Sequence, residues 1–206
     1  MTKAIIGFGS LGRQIREFVI GEDREDVVVF DDFAISEVGL RVHPFADFMA
    51  HEWHGLEFYI GLGYNHLKLR ERVLYGLKPS SFPVFIHPKG SIARSASVGN
   101  GSVIYPGVVI DNFVRVGNAV LLNNGVLVSH DCVIEDACFV APGVVICGNV
   151  QIGKRCFVGA GAVLCNGITI GDDVIIGAGT LVATNLPSGV KVVGNPMRLA
   201  PNLVLR

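Results

Sequence analysis

His130 is the side chain in this sequence best suited to acid–base chemistry. It lies deep in a stretch rich in aliphatic residues and glycine, and the one other histidine of residues 86–206 is His87, near the start of that stretch. Because the pKa of an imidazole is near neutrality, such a side chain can take a proton from an amine or a hydroxyl that attacks a carbonyl carbon. A lone histidine can also be a surface or interface residue without a chemical role. We expect His130 to be a general base.

A glycine-rich turn near the N terminus is a candidate for binding phosphate. It follows a short apolar strand, precedes a helical pattern and has the G-x-G-x-x-G spacing, in the order Gly7-Phe8-Gly9-Ser10-Leu11-Gly12. Asp31 and Asp32 end the next apolar segment about 20 residues later, where dinucleotide-binding folds place a ribose-binding acid. Backbone amides at a helix N terminus can hold a phosphate. Alternatively, the glycines only let the helix pack closely on the strand.

The composition excludes several classes of protein. A length of 206 residues predicts one or two domains. The chain has 17 basic and 18 acidic residues, so it lacks the excess of basic residues that is typical of proteins that bind nucleic acids or anionic membranes. Half of the residues are hydrophobic, but the longest apolar runs are far too short to cross a bilayer. The N terminus also lacks the apolar segment of a signal peptide. We therefore predict a cytoplasmic protein with no nucleic-acid or membrane partner.

A six-residue repeat organises the C-terminal part of the chain and positions His130. Every sixth residue from Ile86 to Val182 is Ile, Val or Leu, and the fourth residue after each of them is mostly small or branched. A hexad of short strand and turn makes one face of a triangular coil, so three hexads form a coil of about 18 residues. Coils stack about 4.8 Å apart through backbone hydrogen bonds. The sequence thus predicts five to six coils, which form a β-helical prism roughly 25 Å long with an aliphatic interior.

Residues that tolerate turns mark the predicted corners of the prism. The residue directly after the aliphatic one is often Gly, Asn, Asp or Ala, types that tolerate turn geometry or positive φ. We expect the corners at these positions, which include Gly99, Asp111, Gly117, Asn123, Gly153, Gly159, Gly171 and Gly177.

The repeat also predicts the surroundings of His130. This residue is the second after Val128, where side chains near a corner point outward. Since one coil takes about 18 residues, Asn112 lies below His130 and Gly148 lies above it. A glycine there leaves room for a ligand carbonyl, and its N–H could bind a developing oxyanion.

Other uses of such a coil, and other nucleophiles, fit the sequence less well. An ice-binding face would need regular columns of Thr, and a zinc enzyme of this fold would need several histidines on neighbouring coils. We therefore expect no metal, although an inert scaffold stays an alternative. Among the cysteines, Cys132, Cys138 and Cys156 fall on interior positions. Cys147 and Cys165 stack one coil apart near the suspected groove, where they could touch a ligand.

The first 85 residues predict a βαβαβ unit. Apolar strands are predicted at residues 3–7, 27–30 and 58–62, with helices at about 11–20 and 66–76. An NAD oxidoreductase is an alternative, but it would need a second mononucleotide-binding half, whereas this chain passes into the repeat near residues 83–86. We predict a Rossmann-like α/β domain at residues 1–85, joined to a β-helix at residues 86–206.

This combination resembles the bacterial sugar acetyltransferases of the sialic-acid O-acetyltransferase and pilin-glycosylation type, within the hexapeptide-repeat acyltransferases. The resemblance covers nearly the whole chain and rests on the Gly-rich turn, Asp31-Asp32, Ile60 to Asn65, Leu122 to Cys132 and the tail Val193 to Arg198. It implies a left-handed β-helix, acetyl-CoA as the donor and a homotrimer. In many members the acceptor is a UDP-, GDP- or dTDP-linked amino-dideoxy sugar.

The resemblance also implies roles for individual residues. His130 is implied to be the general base, oriented by Asp131, with Asn123 in the same site. The acceptor nucleotide is implied to lie on Gly9, Ser10, Leu11 and Gly12, on Asp31 and Asp32, and near Gly63. Acetyl-CoA is implied to lie between neighbouring prisms, at Phe139, Gly148, Ala160 and Ala178.

Two positions depart from the family. Leu11 stands where members that acetylate amino sugars often have a histidine near the acceptor, and Phe139 stands where some members have a further histidine for acetyl-CoA. His130 and Asp131 are both present, so we expect the donor chemistry to be kept. We therefore predict acetyl transfer to the amino group of a nucleotide-linked amino-dideoxy sugar, and O-acetylation of a hydroxyl of sialic acid or another sugar is the alternative. A non-catalytic nucleotide-binding scaffold is the remaining alternative.

Overall fold

The N-terminal part of the chain is a parallel sheet with helices. The computed structural model describes residues 1–20, 27–35, 39–51, 53–76 and 82–204. Its N-terminal strands are β1 (Thr2–Ile6), β2 (Val27–Phe30), β3 (Leu40–His43) and β4 (Leu56–Ile60). The helices are α1 (Ser10–Ile20), α2 (Phe45–Ala50) and α3 (Leu67–Gly76), the last preceded by a 3₁₀ turn at Tyr64–His66. The strands pair in the order β3-β2-β1-β4, all parallel.

Most of these elements confirm the prediction. The three predicted strands correspond to β1, β2 and β4, although β4 is Leu56–Ile60 rather than residues 58–62. The two predicted helices correspond to α1 and α3. The prediction lacks β3 and α2, which lie between β2 and β4 along the chain. Within the described residues, no helix is both long and apolar enough to cross a membrane.

The C-terminal part is a parallel β-helix built of very short strands. They are β5 (Phe85–Ile86), β6 (Ser91–Ile92), β7 (Ser97–Val98), β8 (Val103–Ile104), β9 (Val109–Ile110), β10 (Arg115–Val116), β11 (Leu121–Leu122), β12 (Leu127–Val128), β13 (Val133–Ile134), β14 (Phe139–Val140), β15 (Val145–Ile146), β16 (Gln151–Ile152), β17 (Phe157–Val158), β18 (Val163–Leu164), β19 (Thr169–Ile170), β20 (Ile175–Ile176), β21 (Leu181–Val182), β22 (Lys191–Val193) and β23 (Arg198–Leu199). From β5 to β21, each strand pairs in parallel with the strand one coil away, for example Leu121 with Phe139. This register confirms the predicted coil length.

The prism has three faces with different surfaces. The docked face consists of β5, β8, β11, β14, β17 and β20, the apolar face of β6, β9, β12, β15, β18 and β21, and the polar face of β7, β10, β13, β16 and β19. On the apolar face, Val109 and Leu127 are 40% and 42% exposed. The interior confirms the repeat, because the predicted aliphatic positions from Ile104 to Val182 are all buried.

The corners lie directly after the aliphatic residues, as predicted, and the backbone angles show which corner residue has positive φ. Positive φ occurs at the third residue after each aliphatic position from Val98 to Ile176 rather than at the first, at Gly101, Gly107, Phe113, Ala119, Gly125, Asp131, Ala137, Gly143, Asn149, Arg155, Gly161, Gly167, Asp173 and Gly179. The glycines directly after the aliphatic residue are needed for another reason. A Cβ on Gly99 would lie 2.6 Å from the carbonyl carbon of Gly117, one coil above. Close stacking of coils therefore requires glycine there, whereas the third residue makes the turn.

The N-terminal sheet and α3 pack against the docked face. The ring of Tyr64 lies 5.5 Å from that of Phe139 and 5.0 Å from that of Phe157, measured between centroids. At the corner between the polar and docked faces, Arg155 pairs with Glu71 of α3 at 2.9 Å. These contacts fix the sheet against the prism, and they therefore fix the space between the two.

Candidate active site

A cleft of about 470 Å³ lies between the carboxyl ends of the N-terminal strands and the docked face. Its lining comes from the turn after β1, the strand end after β2, the loop after β4 and the prism. The lining residues are Gly7, Gly9, Ser10, Leu11, Gln14, Asp31, residues 61–66, Asn123 and Phe139. The cleft thus brings five predicted acceptor residues together, with Asn123 and Phe139 of the prism opposite them. Gly12 and Asp32 lie outside this lining.

The glycines around the cleft fall into two groups. A Cβ on Gly12 would overlap the carbonyl oxygen of Gly7, and a Cβ on Gly61 would lie 2.8 Å from the Cα of Gly12. These two glycines are required for close packing, which agrees with the alternative that the glycines let the helix pack closely on the strand. In contrast, no heavy atom of the described residues lies within 4 Å of the Cβ position of Gly9 or Gly63. Internal packing does not require glycine at those two positions, so they leave space that a ligand can occupy.

The acidic pair after β2 is partly occupied by backbone hydrogen bonds. Asp31 accepts one from the N–H of Phe8 at 2.7 Å and one from the N–H of Phe33 at 2.8 Å, so it braces the Gly-rich turn. Asp32 is exposed and accepts one from Phe45 at 2.9 Å. Because a carboxylate has about four acceptor positions, both residues keep capacity for a ligand.

His130 occupies the corner between the apolar and polar faces, which we call the His130 corner (residues 129–132, with residues 147–150 one coil above). Its Nδ1 lies 2.8 Å from Oδ2 of Asp131. An ionised carboxylate only accepts hydrogen bonds, so in the neutral form of the ring this contact favours the tautomer with the hydrogen on Nδ1 and the lone pair on Nε2. A Cβ on Gly148 would lie 2.7 Å from both Cε1 and Nε2, which confirms that Gly148 lies above His130. The side chain is 55% exposed, so a ligand can reach Nε2.

The other predicted residues lie on a second corner. Asn123, Ala160 and Ala178 follow β11, β17 and β20, so they lie between the docked and apolar faces, at what we call the Asn123 corner. Ala160 and Ala178 are exposed. The apolar face separates this corner from the His130 corner by roughly 15–20 Å, the length of about six extended residues. Within one chain, therefore, His130 does not reach the cleft that contains Asn123.

Three of the five cysteines are buried inside the prism, where a nucleophile is not accessible to a substrate. Cys147 and Cys165 are half-buried on the His130 corner, as their spacing predicts, and Cys132, Cys138 and Cys156 are buried. Burial raises the pKa of the Cys132 and Cys138 thiols, which disfavours the reactive thiolate. In the described residues no group of three His, Cys, Asp or Glu side chains could hold a metal ion.

Gln14 and Tyr64 also line the cleft, although neither is among the predicted site residues. Gln14 lies one helical turn after Ser10, so helical spacing from the Gly-rich turn was a usable signal. The hydroxyl of Tyr105 donates to its Oε1 at 3.3 Å, which ties the start of α1 to the prism. Tyr64 belongs to the segment Ile60 to Asn65 that carries the resemblance, but its contact with Phe139 was not predicted, because Phe139 belongs to a distant part of the chain.

A family model supports the description of the prism. The model described as bacterial transferase hexapeptide (six repeats) matches residues 149–184, which contain β16 to β21. A search of curated proteins by sequence finds no match.

Solved structures match the chain over nearly its whole length. The acetyltransferase domain of PglB from Neisseria gonorrhoeae, in complex with acetyl coenzyme A, is 26% identical with a TM-score of 0.85, and the match covers 97% of this chain and 98% of that one. PerB from Caulobacter crescentus, in complex with CoA and GDP-perosamine, is 29% identical with a TM-score of 0.83 and covers 97% of both chains. WeeI from Acinetobacter baumannii is 25% identical with a TM-score of 0.85, covering 97% of this chain and 100% of that one. Together with the repeat, these matches support a hexapeptide-repeat sugar acetyltransferase.

Proposed function

We propose that this enzyme transfers the acetyl group of acetyl-CoA to the amino group of a nucleotide-linked amino-dideoxy sugar. The observation that carries the proposal is the His130–Asp131 pair, whose imidazole lies against Gly148 at an open corner of the prism. The complexes of PglB with acetyl coenzyme A and of PerB with CoA and GDP-perosamine support the two substrate classes. In this proposal residues 1–85 bind the acceptor, and residues 86–206 bind the donor and supply the base.

The proposed chemistry is direct transfer. The lone pair of the sugar amine attacks the thioester carbonyl carbon, and the bond from that carbon to the sulfur of coenzyme A then breaks. Nε2 of His130 takes the proton that the nitrogen loses and returns it to the leaving thiolate. Asp131 holds the ring through Nδ1 and stabilises the imidazolium. No backbone oxygen of the described residues accepts the N–H of Gly148, so this amide can donate to the oxyanion.

Several features of the cleft support a nucleotide-linked acceptor. The Gly-rich turn joins a parallel strand to α1, the Rossmann-like arrangement in which phosphates bind. Ser10 and Leu11 begin α1, and the amides of a helix N terminus favour an anion. Gly9 and Gly63 leave space for a close approach of the ligand. Asp31 keeps acceptor capacity for a ribose or base hydrogen.

A homotrimer, which the resemblance implies, would complete the site. The exposed Val109 and Leu127 belong to an apolar face that needs cover. The His130 corner and the Asn123 corner flank this same face. Three-fold packing around it would bring the His130 corner of one copy next to Ala160 and Ala178 of the next. Acetyl-CoA would then lie between two prisms, and the acceptor cleft of one copy would face the base of its neighbour.

An assay of acetyl transfer tests the proposal. The purified protein is mixed with acetyl-CoA and with UDP-, dTDP- and GDP-linked amino-dideoxy sugars or free sialic acid, and thiol release is followed. We expect release with one of the amino sugars and a loss of about 10²–10⁴-fold in His130→Ala. Asp131→Asn is the matched variant, because Asn also adopts positive φ, and we expect it to lose less activity than His130→Ala. The absence of thiol release with every acceptor would contradict the proposed class of acceptor.

O-acetylation of sialic acid or another sugar hydroxyl is the second candidate function. Leu11 and Phe139 give the cleft apolar side chains at the places where the resemblance implies histidine. A hydroxyl acceptor would use the same base, His130. Release with sialic acid alone would assign O-acetylation, whereas the absence of a thermal shift with coenzyme A would indicate a non-catalytic scaffold.

A further inference from the structure

Arg70 is a fully buried side chain of α3 that lies behind the acceptor cleft. Its guanidinium is 0% exposed and donates to backbone carbonyls. Nη1 donates to the oxygen of Leu62 at 2.6 Å and to that of Ile60 at 3.2 Å, and Nη2 donates to the oxygen of Ala119 at 2.8 Å. Among the ion pairs of the described residues, none joins Arg70 to a carboxylate.

Burial without a carboxylate partner is unusual for a charged group. Buried charges are normally paired, because desolvation of an unpaired ion is costly. Burial lowers the pKa of the Arg70 guanidinium to about 10, which leaves it protonated at neutral pH. The charge therefore acts on the peptide groups around it, and its shortest contact is with the carbonyl of Leu62.

The peptide between Leu62 and Gly63 connects this charge to the cleft. In a trans peptide the C=O and N–H groups point in opposite directions. Since the oxygen of Leu62 faces Arg70, the N–H of Gly63 faces the other way, on the side where Gly63 lines the cleft. No backbone oxygen of the described residues accepts this N–H, and the space around the Cβ position of Gly63 is open.

We propose that Arg70 is a positioning residue that makes the N–H of Gly63 a donor to a phosphate oxygen of the acceptor's diphosphate. The inference rests on the proposed nucleotide-linked acceptor. Neither Lys nor Arg is among the lining residues of the cleft, so a diphosphate there would bind through other donors, of which the backbone amide of Gly63 is one. A charge-assisted hydrogen bond is shorter and stronger than a neutral one. The same guanidinium holds the carbonyl of Ala119, so it also fixes the prism wall that leads to Asn123.

Binding measurements with two variants of Gly63 test the donor without requiring turnover. Calorimetry compares UDP, GDP and dTDP with uridine, guanosine and thymidine, which lack the phosphates. Gly63 has a φ of −76°, which proline adopts, so Gly63→Pro removes the amide hydrogen and Gly63→Ala keeps it. Proline adds two more carbons than alanine, so the nucleosides report the effect of added bulk, and a difference confined to the diphosphates is assigned to the amide hydrogen. For the diphosphate that binds the wild-type protein, we expect Gly63→Pro to bind about tenfold more weakly than Gly63→Ala, with equal nucleoside affinities.

Variants of Arg70 test the role of the buried charge. Arg70→Met removes the charge and keeps a long apolar side chain, so we expect diphosphate affinity to fall about tenfold and nucleoside affinity to fall less. Tyr75→Phe is the control, because it removes another contact of α3 with the prism, the 2.6 Å hydrogen bond from Tyr75 to Asp136. We expect this control to change neither affinity. If Arg70 served folding alone, Arg70→Met would lower both affinities by the same factor.

The outcomes distinguish this inference from the proposed function. Equal diphosphate affinities in Gly63→Pro and Gly63→Ala would overturn the inference and leave the proposed function in place. If none of the three nucleoside diphosphates binds the wild-type protein, both fall, because the acceptor is then not nucleotide-linked. If Arg70→Met does not fold, the comparison of Gly63→Pro with Gly63→Ala tests the inference by itself.

Discussion

Gly148 is the residue on which the geometry of the His130 corner depends most directly. A Cβ at this position would lie 2.7 Å from Cε1 and Nε2 of His130, closer than these atoms can approach. Gly148→Ala must therefore displace the imidazole, whereas the prism needs little adjustment because the ring is half exposed and can move outward. We expect kcat to fall about 100-fold while Tm stays close to the wild-type value. Steady-state thiol release and thermal denaturation measure the two quantities.

A double variant separates displacement of the ring from blockage of the donor groove. If the added methyl group acts through the ring, His130→Ala/Gly148→Ala is as slow as His130→Ala alone, because coupled residues are not additive. A further loss in the double variant, with a higher KM for acetyl-CoA, would show that the methyl group blocks the donor instead. Wild-type kcat in Gly148→Ala would contradict the proposed position of the donor.

The sequence predicted which residues are neighbours at this corner but not how they touch. The repeat alone places Gly148 one coil above His130. Asp131 has a positive φ of 59° and lies 2.8 Å from His130, and the spacing of the repeat indicated neither feature. Family resemblance, rather than spacing, indicated the role of Asp131.

At the scale of elements, substitution by alanine should have different effects on two glycines of the turn between β1 and α1. In Gly12→Ala the Cβ would overlap the carbonyl of Gly7, so α1 must shift, and we expect a loss of about 1–3 kcal/mol in the free energy of unfolding. In Gly9→Ala the Cβ meets no heavy atom, so Tm is kept. The methyl group nevertheless enters the cleft and raises KM for the acceptor, but not for acetyl-CoA. An unchanged acceptor KM would show that the ligand does not approach this turn.

Asp136 makes the contact between α3 and the prism sensitive to acid. It accepts hydrogen bonds from the hydroxyl of Tyr75 at 2.6 Å and from the N–H of Asn118 at 2.7 Å. Burial alone would raise the pKa of Asp136, but these hydrogen bonds and Lys154 outweigh it and hold the pKa below its ordinary value of 3.8. A carboxyl group whose pKa is lowered in the folded state stabilises the fold at pH values above its ordinary pKa. That contribution is lost as the pH falls through the lowered value.

Thermal denaturation as a function of pH tests this contribution. We expect the wild-type Tm to fall below about pH 4, where the lowered carboxyl takes up its proton. Asp136→Asn should be less stable at neutral pH but should lose less Tm over the same acidic range. Parallel Tm curves for the two proteins would show that Asp136 does not contribute to the acid sensitivity.

Two elements escaped prediction because the sheet they join provides their stability. Strand β3 has four residues and pairs only at the edge of the sheet. Helix α2 has six residues, too few to show helical periodicity, and Phe48 holds it by packing on Phe30 at 5.4 Å and Phe58 at 5.5 Å between ring centroids. The prism strands β5 to β21 have only two residues each, which is too short to predict any one of them alone. They were predicted because the six-residue pattern repeats along the chain.

At the scale of the whole molecule, one chain contains both halves of the proposed site but holds them apart. The acceptor cleft includes Asn123 at one edge of the apolar face, and His130 lies at the other edge. A closed ring of copies around this face makes the base of each copy a neighbour of the next copy's cleft. We therefore predict that the reaction occurs between subunits.

Mixed assemblies of two inactive variants test this prediction. His130→Ala keeps the cleft, and Gly9→Phe keeps the base but fills the cleft where the structure leaves open space. When the two variants are co-assembled in equal amounts, about one site in four combines an intact base with an intact cleft, so about a quarter of wild-type activity should return. Mixing either variant with the double variant His130→Ala/Gly9→Phe gives the background. If each chain were self-sufficient, mixed assemblies would stay at that background, because neither chain holds an intact base together with an intact cleft.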